Sequence, residues 1–142
     1  MEKEKGKNPE TPAEPHGSFG EAGEKIWNIR DRSFAFAVRI VKLCQYLEKR
    51  DLVSRTLVRQ LLRSATSVGA NLEESQAGQS KPDFISKNAI ALKEARESNY
   101  WLRLFLSSYE FESQIRNGIE ELKDESREIG LIIGAIIVSS KR

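Results

Sequence analysis

Two lines of polar side chains recur at helical spacing, and they are the residues of this sequence best suited to chemistry. The first line has steps of four, four and three residues, and the second has steps of three and four. The members are Arg63, Ser67, Asn71 and Glu74 in the first line, and Glu94, Glu97 and Trp101 in the second. An arginine on one helix and carboxylates on the next can form a partly buried ion-pair network that fixes helix register. We therefore interpret these residues as structural.

A catalytic use of the same carboxylates is the alternative. Glycosidases work with two carboxylates, but this segment has no signature of a sugar-binding cleft. Di-metal sites in helical bundles need Glu-x-x-His pairs, and the only histidine, His16, lies in the proline-rich start of the chain. A histidine base and a cluster of histidine ligands are therefore excluded. We expect no enzymatic activity, no bound metal and no cofactor.

A basic stripe runs along the predicted start of the second helix. Arg55, Arg59 and Arg63 are spaced at i, i+4 and i+8, and guanidinium groups ~6 Å apart suit successive phosphates. Arg39 and Lys42 of the first helix extend this stripe if the two helix faces adjoin. The alternative is that these side chains form only a solvated basic face, while Arg63 pairs within the polar network. We expect Arg39, Lys42, Arg55 and Arg59 to bind nucleic acid, either RNA or DNA.

Charge is distributed unevenly along the chain, which has a formal net charge of +2. Residues 1–24 contain three basic and six acidic side chains, whereas residues 25–81 contain eleven basic and five acidic ones. A local basic surplus of this kind indicates either an anionic partner or a solvated face. The first segment is also poor in hydrophobic residues and holds three of the four prolines. We predict a disordered acidic, proline-rich tail over residues 1–24.

Helices must position these residues, because the hydrophobic period stays near 3.6 from residue 25 onward. The pattern breaks at residues 49–51, 78–83 and 116–118. These breaks predict helices over about residues 25–50, 54–78, 82–115 and 119–140, with Ser54 and Ser80 as N-caps. Short connections make sequential helices antiparallel neighbours. The prediction is an all-α protein, an up-down-up-down four-helix bundle over residues 25–142 behind the disordered tail.

The predicted third helix has the clearest seam, with small residues in its middle that let a neighbouring helix approach closely. The seam consists of Phe84, Asn88, Ala91, Ala95, Ser98, Leu102, Phe105 and Tyr109. The single cysteine, Cys44, lies on an apolar stripe of the first helix. It excludes an intrachain disulfide, and we expect it to pack as a small buried hydrophobic side chain.

The first helix has more apolar surface than an outer helix of a bundle normally buries. Phe34, Val38 and Val41 form a second stripe beside the core stripe, and residues 131–138 of the fourth helix face several directions. Surplus surface of this kind favours burial against another copy of the chain. The alternative is a wider internal core. We predict a homo-oligomer whose interface includes Phe34, Val38, Val41, Ile133 and Ile137.

Sequence signals for export or membrane insertion are weak. Residues 1–24 lack the apolar core of a signal peptide. The longest strongly apolar run, residues 131–138, is far shorter than the ~20 residues that cross a bilayer. We expect a soluble cytoplasmic protein with no membrane partner.

Two segments resemble hallmarks of one bacterial family. They are residues 63–74 (RSATSVGANLEE) and residues 84–104, above all the stretch 91–104 (ALKEARESNYWLRL). The family consists of four-helix-bundle proteins encoded in intervening sequences of 23S ribosomal RNA genes. Its relatives include the accessory variability determinant of diversity-generating retroelements. The resemblance covers about residues 26–138.

The resemblance implies a small bundle that assembles into a homopentamer without enzymatic activity. In retroelements, such a ring is a basic partner of a reverse transcriptase and its template RNA. The residues of the two polar lines resemble fold determinants of the family, which agrees with the structural interpretation above. The sequence thus predicts a non-enzymatic oligomer that binds nucleic acid as an accessory factor. A protein-binding scaffold with a merely solvated basic face is the alternative.

Overall fold

The computed structural model describes residues 29–78 and 80–142, which form four α-helices. The helices are α1 (Ile29–Lys49), α2 (Arg55–Gln76), α3 (Lys81–Ser108) and α4 (Ser113–Ser140). Each helix packs against its neighbours along the chain, and α1 and α4 close the ring. The predicted all-α four-helix bundle is confirmed. The predicted tail, residues 1–24, and the predicted helical residues 25–28 lie outside the described residues.

The connection between α1 and α2 forms where the sequence predicts it. The amide of Leu52 donates to the Leu47 carbonyl at 3.0 Å, and the amide of Asp51 donates to the Glu48 carbonyl at 3.2 Å. This pair of bonds is a Schellman motif, which satisfies the last carbonyls of the helix. Asp51 has a φ of 52°, a left-handed conformation that aspartate tolerates better than most residues.

The two predicted N-caps behave differently. The Ser80 hydroxyl accepts a hydrogen bond from the Asp83 amide at 3.2 Å, and Pro82 occupies the first turn of α3. Ser54 stands at the N-cap of α2, but its side chain makes no capping bond. Its amide donates instead to the Tyr109 hydroxyl at 3.3 Å. The two connections at this end of the bundle are therefore joined to each other.

The third predicted break, at residues 116–118, is wrong. Those residues lie inside α4, and the chain turns earlier, over residues 109–112. Tyr109 has an extended backbone (φ −130°, ψ 151°), and its ring packs 6.2 Å from that of Phe111. Both rings cover the end of the core. Gly118 resembles a turn residue, but it occupies a helical position where a Cβ would meet no atom within 4 Å.

The core runs along the axis of the bundle and is built from one stripe of each helix. Its largest fully buried side chains include Phe36 and Ile40 of α1, Leu61 and Leu72 of α2, Leu102 and Phe105 of α3, and Ile119, Ile129 and Ile133 of α4. Small residues bring the helices close together. A Cβ on Gly69 would lie only 3.7 Å from the backbone of Ser33, and the buried Ser98 hydroxyl donates to that of Ser64 at 2.9 Å. The seam of α3 thus faces inward, which leaves its two edges to carry charge.

Candidate nucleic-acid interface

One part of the predicted polar network comes together across α2 and α3. Arg63 forms an ion pair with Glu94 at 3.3 Å and a second one with Glu97. The indole Nε1 of Trp101 donates to the same Glu97 carboxylate at 3.2 Å. All three α3 residues lie on the edge of that helix that faces α2. The geometry is that of a clamp between two helices.

The remaining members of that line do not reach the clamp. The Asn71 amide donates to the Ser67 carbonyl of its own helix at 2.8 Å. Glu74 is exposed near the end of α2. Ser67, Asn71 and Glu74 share helical spacing with Arg63, but no ion pair or hydrogen bond joins them to α3 in the described part of the chain.

The four basic residues that we predicted to bind nucleic acid do not form one surface. Arg39 pairs with Glu121 at 2.7 Å, so its head group lies at the seam of α1 and α4. Arg55 pairs with Glu48 at 3.0 Å, at the junction of α1 and α2. Arg59 is exposed and has no ion-pair partner among the described residues, and Lys42 is exposed on α1. At least two of the four basic side chains are therefore paired with a carboxylate of the protein.

A groove between α3 and α4 is lined by basic residues that are not among the predicted nucleic-acid-binding residues. Its volume is about 410 Å³, and it is lined by Leu92, Ala95, Arg96, Asn99, Arg103, Ser126, Arg127, Gly130 and Leu131. Gly130 lies beside Leu92, and Asn99 bonds to Ser126, so the two leucines lie at one end, Arg103 lies at the other, and Arg96 and Arg127 lie between them. Arg96 and Arg127 make no ion pair or side-chain hydrogen bond within residues 29–78 and 80–142. Their charges are available to an anion in solution.

Asn99 ties the two walls of this groove together. Its Nδ2 donates to the Lys123 carbonyl at 3.0 Å and to the Ser126 hydroxyl at 3.1 Å, both on α4. Its Oδ1 accepts a hydrogen bond from Nε of Arg103 at 2.9 Å. The bond through Nε orients the Arg103 guanidinium and leaves its two terminal nitrogens free to donate.

The arginine pattern was present in the sequence, since Arg96, Asn99 and Arg103 stand at i, i+3 and i+7. That spacing places them on one edge of a helix. The two carboxylates of the same segment, Glu94 and Glu97, point to the opposite edge, toward Arg63. Periodicity alone does not tell which edge of α3 is drawn into an ion-pair network and which stays exposed.

The predicted apolar interface is exposed on α1 only in part. Phe34 and Val38 are exposed large hydrophobic side chains, and Val41 is half-buried. Exposed apolar groups on an outer helix face remain available to a second protein surface.

On α4, the prediction that Ile133 belongs to an interface between copies is wrong, because this side chain is fully buried in the core of the bundle. Its stripe continues the core stripe of Ile119 and Ile129, which the sequence pattern already contained. Ile137 is half-buried against the same core. Leu131 and Val138 are the exposed large hydrophobic residues at this end of the helix.

The thiol of the single cysteine lies in the interior of the bundle. Cys44 is buried, and its Sγ lies 3.8 Å from the Val58 carbonyl oxygen. Burial, with a smaller contribution from the charge of Glu48, raises the pKa of this thiol to about 12. Among the described residues, no three His, Cys, Asp or Glu side chains are arranged to hold a metal ion. No helix within the same ranges combines the length and hydropathy needed to cross a membrane.

Comparison with known proteins identifies a family and similar solved structures. The family model for 23S rRNA-intervening sequence proteins matches residues 25–135. A crystal structure from Bacteroides thetaiotaomicron, of a protein with unknown function from the S23 ribosomal protein family, is 41% identical with a TM-score of 0.69. The match covers 77% of this chain and 97% of that one. No curated protein matches the chain.

Proposed function

We propose that this chain, which belongs to the family of 23S rRNA-intervening sequence proteins, is an oligomeric accessory factor that binds nucleic acid. In this proposal it acts in the cytoplasm and catalyses no reaction itself. The observation that supports binding is the set of cations on the α3–α4 side of the bundle that have no carboxylate partner among the residues that the structure describes. Arg96 and Arg127 are exposed there, and Arg103 is exposed beside them.

The affinity for a polyanion depends more on the basic side chains that are free to contact it than on the net charge of the protein. Arg39 and Arg55 already share their charge with Glu121 and Glu48, so a phosphate there would meet a neighbouring carboxylate that repels it. Arg96 and Arg127 exchange only water and counterions for the phosphate, and the release of counterions from nucleic acid favours binding. The α3–α4 side therefore suits a phosphate backbone better than the stripe along α2.

Oligomerisation is part of the proposal, because one protomer offers few charges. The exposed Phe34 and Val38 on α1 supply apolar surface for contacts between copies. A pentamer, which the resemblance to the family suggests, would repeat each basic surface five times. Avidity of this kind raises affinity by ~10²–10⁴ without new contacts. A reverse transcriptase and its template RNA are the partners that the resemblance to retroelement accessory proteins suggests.

A protein-binding scaffold is the second candidate function. The same two exposed apolar side chains favour it, since they fit a protein partner as well as another copy. In that case the arginines of α3 and α4 form only a solvated face. The two functions differ in whether the protein binds nucleic acid and in how that binding responds to salt.

The test is fluorescence polarisation with labelled RNA from about 50 to 300 mM salt. The parent is compared with Arg96→Glu/Arg127→Glu and with Arg39→Glu/Arg55→Glu, a double variant of equal charge change at residues that are already paired. We expect binding that weakens steeply with salt, and a shallower salt slope in the first variant only. A parent that binds no RNA at the lowest salt would leave the scaffold function in place.

A further inference from the structure

We infer, on the basis of the proposed function, that the α3–α4 groove accepts one nucleotide unit of a single-stranded nucleic acid. The groove has a volume of about 410 Å³, within the ~300–1,000 Å³ range typical of small-ligand pockets. The two leucines form an apolar end and the three arginines occupy the rest of its length, so the groove matches a ligand that joins a phosphate to a flat apolar ring. A nucleotide has this composition.

The cationic part of the groove suits a phosphate group. Arg96 and Arg127 face it from opposite walls without protein partners, and Arg103 presents its terminal nitrogens because its Nε is bonded to Asn99. Guanidinium groups bind phosphate oxygens through two parallel hydrogen bonds. The Asn99 bonds to α4 keep the two walls at a set spacing. The guanidinium of Arg103 is therefore oriented before a phosphate arrives, and the backbones that carry Arg96 and Arg127 are held at a fixed spacing.

The apolar end suits an unstacked base. Leu92 is half-buried, Leu131 is 59% exposed, and Gly130 has no side chain to fill the space between them. The Tyr100 ring is exposed on α3 outside the groove lining, with the guanidinium of the groove residue Arg103 5.9 Å from its centroid. Aromatic rings and arginine planes are common stacking surfaces for the bases of single strands. Tyr100 thus offers a place for the next base along the strand.

This geometry discriminates between single strands and duplexes. A duplex keeps its bases paired and stacked, so it can bring phosphates to Arg96 and Arg127 but cannot place a base between Leu92 and Leu131. A flexible single strand can do both, and recognition of splayed bases is the common mode for unpaired RNA. The inference is a preference for single strands that arises from the groove and not from net charge.

The first variant fills the groove without changing its charge. Gly130→Leu places a side chain on the floor, where the new Cβ lies 3.6 Å from Cδ1 of Leu92, an ordinary contact. Leucine also favours a helix more than glycine does, so the fold is retained. Gly134→Leu is the matched control, because a Cβ there meets nothing within 4 Å and Gly134 does not line the groove.

The second variant removes the apolar end. Leu131→Ser is compared with Val138→Ser, since the two parent side chains are 59% and 60% exposed on the same helix. We expect Gly130→Leu and Leu131→Ser to bind an unstructured single-stranded RNA about tenfold more weakly than the parent. This is the scale of affinity that contact with one base contributes. We expect neither control to change it. Binding of duplex RNA should be equal in all five proteins.

The outcomes separate the groove from the function on which it rests. If both groove variants bind single strands as the parent does, the groove inference is overturned while nucleic-acid binding stands. If the groove variants weaken single strands and duplexes equally, base insertion is overturned. If the parent binds neither RNA, the proposed function fails and the groove inference fails with it. Loss of single-strand binding alone supports the groove.

Discussion

Replacing Arg63 with methionine removes the guanidinium that joins α2 to α3 and leaves most of the side-chain length in place. In the parent, this group pairs with Glu94 at 3.3 Å and also with Glu97. After the change, Glu97 still accepts the hydrogen bond from Trp101. Glu94 has no second ion-pair partner in the described part of the chain, so it bears most of the loss.

The expected cost follows from the exposure of the three side chains. An exposed ion pair contributes ~0.2–1 kcal/mol, whereas removal of one partner from a buried pair costs ~3–5 kcal/mol. The Arg63 side chain is 49% exposed, but that of Glu94 is only 13% exposed. The clamp lies between the two cases, so we expect the free energy of unfolding to fall by ~1–2 kcal/mol.

Urea unfolding followed by circular dichroism measures this change. The matched control is Arg59→Met, one turn earlier on α2, where an exposed arginine has no ion pair among the described residues. We expect that control to change the free energy of unfolding by less than ~0.5 kcal/mol. Protein concentration is kept equal, because self-association shifts apparent stability.

A double-mutant cycle isolates the ion pair. Arg63→Met and Glu94→Gln, made singly and together, should give a coupling free energy of about 1 kcal/mol, since residues in direct contact are not additive. Coupling close to zero, with Arg63→Met no less stable than Arg59→Met, would refute the clamp as a structural element.

Three other contacts lead to measurable outcomes. Because burial raises the pKa of the Cys44 thiol to about 12, iodoacetamide should label native protein far more slowly than urea-unfolded protein at about pH 8; equal rates would contradict that burial. Gly118→Ala should raise the free energy of unfolding by ~0.5–1 kcal/mol, because the helical position has open space for a Cβ, and a lower value in urea titration would count against it. Val38→Glu should reduce the particle mass in light scattering, whereas Ser86→Glu on exposed α3 surface should not; a monomeric parent would rule out self-association.

The fold is predictable because its determinants are local and periodic. The a/d seam of α3 identifies the buried face directly, and its small central residues Ala91, Ala95 and Ser98 are all buried. The connection after α3 is less predictable. Asn117 and Gly118 have the composition of a turn, but they stay helical because Tyr109 and Phe111 cover the core at the true turn. Tertiary packing of two aromatic rings outweighs local turn propensity there.

The site is less predictable than the fold, because charge availability depends on pairs between distant parts of the chain. Arg39 and Glu121 are far apart in sequence, and only the closure of α1 against α4 brings them together. The prediction of Ile133 as an interface residue is wrong for a related reason, because an apolar residue at the end of a helix can face either the core or the solvent. Residue spacing gives the relative directions of side chains around one helix, but the packing of neighbouring helices determines which of those side chains are buried or paired.

The two edges of α3 have opposite electrical character. On the α2 side, two carboxylates meet one guanidinium, and on the α4 side, three guanidinium groups border a groove without a carboxylate in its lining. The charge of α3 is therefore separated across the width of this helix, which gives this stretch a local dipole perpendicular to its axis. A polyanion within the screening distance of ~8–10 Å exerts a torque on such a dipole. Under the proposed function, we expect this torque to turn the α4 edge of α3 toward an approaching strand before any atoms touch.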